Sequence, residues 1–233
     1  MVGGVSALGP LPPGQSARAD FPRFGLSAYA KRFPQQVDRA ELTLVGPAST
    51  TLLQTPLAGL PRVEQVSDFH CVTTWSHRSV RWSGVRFADF YERHIAGKMN
   101  TAPGAMTLVF HGQDGYRTAL LLDDLLAADV LLADRLNGLP LSLAHGAPLR
   151  LVAPAHYGYK SVKHLCRMEV LSGPAKLKKG ALAFLDHPRA RVALEERGRW
   201  FPGWLLRLAY RPLVKPAAAE FARALAEHER QDR

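Results

Sequence analysis

The segment DFHCVTTWSHRSVRWSGVRFADF holds Cys71 among His70, Thr73, Thr74, Ser76, His77 and Arg78. The thiolate is the reactive form of cysteine, and positive neighbours lower a thiol's pKa. A thiolate is also a soft ligand suited to a redox metal. On residue types alone three uses stand open: a small buried hydrophobe, a nucleophile paired with histidine, and a metal ligand. A second group lies downstream: His145, Arg150, and the run Lys160, Ser161, Val162, Lys163 after Gly158. Arginine, lysine and backbone N–H groups are the donors that hold a phosphate through charge-assisted hydrogen bonds. Each has a plainer use as well, Arg150 in an edge-strand ion pair and the lysines on a solvated loop. Tyr116 in QDGYRT is either a turn aromatic or a phenol donor. Trp82 and Cys166 read as packing, and Trp75 as packing or as a wall of the site.

These residues need a scaffold, and the pattern supplies a β-rich one. ELTLV (41–45) alternates and stops at Gly46–Pro47, as a strand before a turn does. VSDFHCVT (66–73) leans β, and MTLVF (106–110) reads as a buried strand. LLLDDLLA (120–127) runs from a strand end into one helical turn. DVLLADRL (129–136) meets Asn137–Gly138 and then LPLS, a hairpin signal because a type I′ turn needs positive φ at both central residues. PLRLVAP (148–154) is a strand stopped by Pro154, and HYGYKSVKHL is a basic loop entering the strand CRMEVL. Phe87, Phe90, Tyr91 and His94 fall at helical spacing. Short strands with few helices predict an α+β body of mixed sheets. Residues 1–20, rich in Gly and Pro, read as an extended arm, residues 21–186 as the body, and residues 187–233 as a helical extension. The extension mixes Arg, Trp and Leu and carries a helix opening near Pro216. FPRFGL (21–26) is apolar enough to pack on the body.

The chain has 233 residues, enough for one sizeable core, and a net charge of +10. Such a charge points to an anionic partner. Zinc-finger spacing and RNP-like aromatic strands are missing, which argues against nucleic acid. Two distant cysteines allow one disulfide and no framework. The absence of CxxC, CxxCH and ferredoxin-type runs argues against an intrinsic iron–sulfur cluster or covalent haem. No stretch approaches a membrane span, and the first residues lack the basic and apolar regions of an export signal. A reducing cytoplasm is the simplest expected location.

DFHCVTTWS…RWSGVRFADF resembles the cysteine segment of the sulfite oxidase family's molybdopterin domain, and NGLPLSLAHGAPLRLVAPAHYGYKSVKHL resembles that family's cofactor segment. FPRFGL is similar, more weakly, to the pterin-contacting turn. The motifs recur in the family's order, nearest to the standalone bacterial members related to the methionine-sulfoxide reductase catalytic subunit. The resemblance implies a molybdenum–molybdopterin cofactor. It implies Cys71 as the protein's ligand to the metal, flanked by His70 and Thr73, and Tyr116 beside the metal as a catalytic hydrogen-bond donor. It gives His145 and Arg150 to the pterin and its phosphate, and Lys160, Ser161, Val162 and Lys163 to the loop closing on the phosphate. Phe21 and Arg23 would cover the pterin.

The chain also departs from the family's known branches. Animal-type sulfite oxidases have an arginine where Ser76 stands, and the methionine-sulfoxide reductases have a carboxylate where Thr73 stands. The expected reaction is therefore two-electron oxygen-atom transfer on a small S- or N-oxide rather than sulfite oxidation. Electrons are expected from an external partner, for which the basic, aromatic extension around Trp200, Phe201 and Trp204 is a candidate peripheral docking surface. The competing readings are a cofactor carrier without catalysis and a Cys/His hydrolase or transferase.

Overall fold

The computed structural model describes residues 9–98, 106–175, 177 and 185–231. The first eight residues of the expected arm lie outside them. Two sheets form the body. The first is built on β4 (Arg62–His70), β5 (Trp75–Arg86), β8 (Leu131–Leu136) and β10 (Arg150–Val152), with β5 between β4 and β8. The short β9 (Leu139–Pro140) pairs with β8, and β1 (Ser16–Ala17) lies parallel to the start of β5. The second sheet runs β3 (Thr50–Leu53), β2 (Leu42–Val45), β11 (Leu165–Ser172), β6 (Met106–Gly112), β7 (Arg117–Leu121).

Alternation builds the core between the sheets. Leu42 and Leu44 of β2, Leu108 and Phe110 of β6, and Met168 and Val170 of β11 face Val85 of β5, Leu132 of β8 and Leu151 of β10 in one cluster. The helix α1 (Phe87–His94) closes it with Phe87 and Phe90, both wholly buried, and α2 (Leu122–Leu125) adds Leu125 as the single helical turn expected there. Asn137 and Gly138 have φ of 51° and 83°, so the β8–β9 hairpin has the expected I′ geometry. At Gly84 the strands β5 and β8 approach so closely that a Cβ would stand 2.1 Å from the Leu132 carbonyl oxygen. The α+β body of mixed sheets is thus as the pattern predicts.

The two ends of the chain are tied to the body. Ser16 N–H donates to Thr74 O (2.9 Å) and Arg18 N–H to Ser76 O (2.8 Å), so β1 and the residue after it run as a short added strand along the start of β5. At the other end, the stretch 187–199 is turn rather than helix. Its N–H groups find side chains instead: Ala190 N–H bonds His187 Nδ1 (2.8 Å), and Arg191 N–H bonds the Glu196 carboxylate (2.8 Å). Helices follow only after Pro202: α3 (Gly203–Tyr210), a 3-10 turn (Arg211–Leu213) and α4 (Val214–Gln231). Pro216 sits in the first turn of α4, where a missing N–H costs nothing. Phe221 and Ala224 dock α4 on Ala30 and Phe33. Among the described residues no helix is long and apolar enough to cross a membrane.

Candidate functional site

Cys71 opens the tight turn between β4 and β5. Its N–H donates to Trp75 O (2.8 Å), and Thr74 N–H returns to Cys71 O (3.2 Å). The turn forces Thr74 to φ 84°, a conformation that costs a β-branched residue on the order of 1–3 kcal/mol. Outside groups hold it there. Gln15 Nε2 donates to Cys71 O (3.1 Å), Arg197 Nη1 to Val72 O (2.5 Å), and Ser16 N–H to Thr74 O. Ser76 donates to Gln15 Oε1 (2.9 Å), so His70 Nδ1–H must donate to Ser76 Oγ (2.8 Å). His70 thus orients the cysteine turn from behind, and burial keeps it neutral by lowering its pKa. Among the described residues the thiol's side-chain hydrogen-bond partner is Thr73, at 3.1 Å, and no histidine is in place there to make Cys71 a nucleophile.

The expectation that basic neighbours lower the Cys71 pKa is corrected by the fold. Burial pushes the thiol up, and the Thr73 bond and the charges of Arg197 and Lys163 oppose it only in part. The basic residues nearest in sequence are engaged elsewhere. His77 pairs with Arg18 O (3.0 Å), while Arg78 bonds Gly9 O (2.6 Å) and Asp68 (3.3 Å).

A cationic floor lies beside the turn. Arg150 is wholly buried, donates to His145 O (2.8 Å) and stacks on Trp82 with its guanidinium carbon 4.7 Å from the ring centroid. Lys163 donates to Ala144 O (2.8 Å). Neither cation forms an ion pair with a carboxylate among the described residues, and both lose affinity for their proton. Burial draws Arg150 down to about 9; burial, aided by Arg150 and Arg23, draws Lys163 down to about 7. His145 follows to about 3 through burial and the charges of Lys163 and Arg150, so it is a neutral imidazole. Its Nδ1 is buried and finds no partner among the described residues, and its ring stacks on Phe21 at 4.7 Å. Buried cations lacking a counter-charge are costly unless an anion completes them.

A cavity of about 580 Å³ connects these parts. Of the sequence-expected residues it is lined by Phe21, Arg23, Cys71, Thr73, Tyr116, Ser161, Val162 and Lys163. His70, His145 and Arg150 stand behind this lining as described. Lys160 is turned away: its ammonium bonds Ala119 O (2.9 Å) and pairs with Asp186 (3.4 Å). Arg23 lines the cavity but spends its donors on Ala30 O (2.6 Å), Arg32 O (2.7 Å) and Tyr29 O (3.2 Å), fixing the 29–32 turn. Tyr116 donates its proton to Tyr159 O (2.7 Å), and burial raises its pKa well above the usual phenol range. Ser161 Oγ accepts from Ala153 N–H (3.1 Å) and so pins the closing loop to the end of β10.

Sequence reasoning missed three contributors, Asp114, Gln15 and Arg197, and left Trp75 between core packing and a wall of the substrate site. Asp114 lines the cavity and accepts from Tyr116 N–H (3.0 Å). Trp75 lines the cavity, and its indole nitrogen is buried with no partner among the described residues. Gln15 and Arg197 come from opposite ends of the chain and carry no local signal. Arg197 is wholly buried, donates also to Pro13 O and Gly14 O (3.1 Å each), and pairs with Glu195 (3.1 Å). Arg197→Met is expected to destabilise the fold by about 1.5–3 kcal/mol, the worth of lost charge-assisted bonds, and to expose the cysteine turn. Thermal melts and the rate of Cys71 alkylation in the cofactor-free protein check this; an unchanged alkylation rate would show that Arg197 does not hold the turn.

The site accommodates a bulky phosphorylated metal cofactor. It offers a thiol, unpaired cations, an orphaned imidazole nitrogen and adequate volume. Among the described residues no three His, Cys, Asp or Glu side chains gather into a metal site. Comparison with known proteins agrees. Residues 32–178 match the family model "Oxidoreductase molybdopterin binding domain". The chain is 36% identical to the oxidoreductase YuiH of Bacillus subtilis (strain 168), over 67% of this chain and 77% of that one. It is 33% identical to the protein-methionine-sulfoxide reductase catalytic subunit MsrP of Xanthomonas campestris pv. campestris, over 47% of this chain and 37% of that one. The MsrP of Gluconobacter oxydans (strain 621H) is 31% identical over 57% of this chain and 50% of its own length. The sulfane dehydrogenase SoxCD of Paracoccus pantotrophus superposes with a TM-score of 0.48 at 19% identity, covering 57% of this chain and 38% of that one. The chain therefore belongs to the oxidoreductase molybdopterin-binding domain family, with molybdenum–molybdopterin as its cofactor.

Proposed function

We propose that the protein reduces a small, neutral S- or N-oxide with electrons from a separate partner. The observation that carries this reading is the composition of the cavity around Cys71. Most of its lining is apolar and aromatic, including Phe24, Trp75, Tyr210, Leu213 and Phe221, with Lys163 and Arg23 on the cysteine side and Arg223 beside Glu220 on the α4 side. An anion clamp for sulfite is not assembled by the nearby candidates. Ser76 is wholly buried and bonded to His70 and Gln15, Arg78 is held by Asp68 and Gly9, and Arg81 pairs with Glu64 at 3.7 Å. The resemblance to MsrP chains, named for methionine-sulfoxide reduction and as catalytic subunits, supports both the substrate class and the external electron source.

The overall change is R₂SO + 2 H⁺ + 2 e⁻ → R₂S + H₂O. The bound cofactor supplies the two-electron redox chemistry. This chain's residues do the rest. Cys71 anchors the metal, and Arg150, Lys163 and His145 hold the phosphate and pterin end. Trp75 and Phe24 exclude water and seat the substrate's apolar groups. Tyr116 gives up its bond to Tyr159 O and donates its O–H to the substrate oxygen instead, polarising it. Steady-state assays decide the matter: reduced viologen dye with methionine sulfoxide, dimethyl sulfoxide and trimethylamine N-oxide, against an oxidised acceptor with sulfite. Oxide-dependent dye oxidation is expected. Sulfite oxidation with a low KM and no oxide reduction would overturn the proposal.

A further inference from the structure

The extension leaves large apolar side chains uncovered. Trp200, Trp204, Leu205 and Leu208 are 62%, 55%, 42% and 60% exposed. Residues 204, 205 and 208 share one face of α3, opposite Leu206, which faces the body and is 6% exposed. Scattered apolar residues on a surface are ordinary, but three on one helix face with a second exposed indole just before the helix are not. The charge of this stretch is one-sided. Between Glu196 and Glu220 the sequence has five cations, Arg197, Arg199, Arg207, Arg211 and Lys215, and no carboxylate. Arg197 is buried and Arg207 reaches Glu195 at 3.5 Å, but Arg199, Arg211 and Lys215 are exposed and outside any ion pair among the described residues.

We propose that α3 and its flanks seat the protein on an anionic lipid surface. Indole rings favour the headgroup level, where the ring lies in an apolar layer and the N–H meets water. Arginine and lysine stems reach along such a layer with their charges in the headgroups. Each cation near an anionic leaflet adds to binding. The stretch offers a convex helix face rather than a groove, which suits a bilayer interface better than an acidic peptide. The surface also borders the cavity: Tyr210 and Leu213, next along the chain, line it. Docking therefore sets that wall of the cavity at headgroup level. The inference does not depend on the substrate assignment.

The test uses the full-length protein with phosphatidylcholine vesicles, with and without phosphatidylglycerol. Trp75 and Trp82 are only 4% and 1% exposed, so a vesicle-induced change in tryptophan emission reports Trp200 and Trp204. Co-sedimentation and a blue shift are expected with anionic vesicles alone, weakening as salt rises. Trp204→Ala with Leu208→Ala, and separately Arg199→Glu, Arg211→Glu and Lys215→Glu together, should each lower partitioning at least about tenfold, with melting temperature and dye-linked activity unchanged. No binding to anionic vesicles, equal binding to neutral ones, or full binding by the charge-reversed variant overturns the proposal. So would saturable binding of this face to an acidic protein when vesicles fail to bind.

Discussion

Cys71→Ser is expected to abolish turnover while the chain still folds and still holds the pterin. The loss follows from the chemistry of the position. A serine hydroxyl, with a far higher pKa and a harder oxygen, does not replace a thiolate on a redox metal. The fold survives because the turn is held by its backbone. Gln15, Arg197 and Ser16 bond the carbonyls of Cys71, Val72 and Thr74, and none of these bonds uses the sulfur. Serine is also nearly isosteric, so the cost in stability should stay near 1 kcal/mol, within the range of ordinary single substitutions. On the proposed reading the pterin is retained, because Lys163 and Arg150 rather than the thiol would hold its phosphate end. Metal analysis, X-ray absorption at the molybdenum edge and a fluorescent pterin assay on the purified variant check each part. Wild-type turnover in this variant, or a metal site unchanged in sulfur coordination, would remove Cys71 from its assigned role.

Lys163→Met should lower cofactor retention by roughly 10–100-fold, the value of one charge-assisted phosphate contact, and should not lower the stability of the cofactor-free protein. The two effects separate because Lys163 forms no ion pair among the described residues, and the cost of burying its charge outweighs its one bond, to Ala144 O. Its pKa is held at about 7 against an ordinary 10.5. A lowered pKa means that the folded chain binds fewer protons than the unfolded chain between those two values. Stability therefore rises with pH across that window, and the penalty of the charged form is greatest below it. Methionine removes the charge and flattens this rise. An anion at the site does the reverse and draws a proton onto Lys163, so inorganic pyrophosphate should raise the melting temperature of cofactor-free protein more near pH 6 than near pH 9. Arg150→Met should lose cofactor as strongly but also cost stability, because Arg150 holds the carbonyls of His145, Leu151 and Ser161. Undiminished occupancy in the Lys163→Met, Arg150→Met double variant would show that the phosphate lies elsewhere.

The sequence by itself determined the local elements and the cofactor class. Alternation marked β2, because a strand's side chains can face the core at every second position, while a continuous apolar run marked β6 and turn or proline stops bounded β8 and β10. Asn137–Gly138 marked the hairpin because its φ values are set by residue type. Cys71, Arg150 and Lys163 were legible as a site because their chemistry is unusual for a core and their motifs follow the family's order. Only the tertiary structure decided which donors face the cavity. Lys160 and Lys163 are three apart in one loop, yet the 3-10 turn at Gly158–Lys160 sends the first to Asp186 and the second to the floor. Nothing local marks Gln15 or Arg197 as partners of the cysteine turn, since both reach it across the fold from segments outside residues 32–178. The pKa of Cys71 was likewise a matter of depth. The charges near it in sequence point away, and the desolvation that governs it depends on what the fold stacks above the turn.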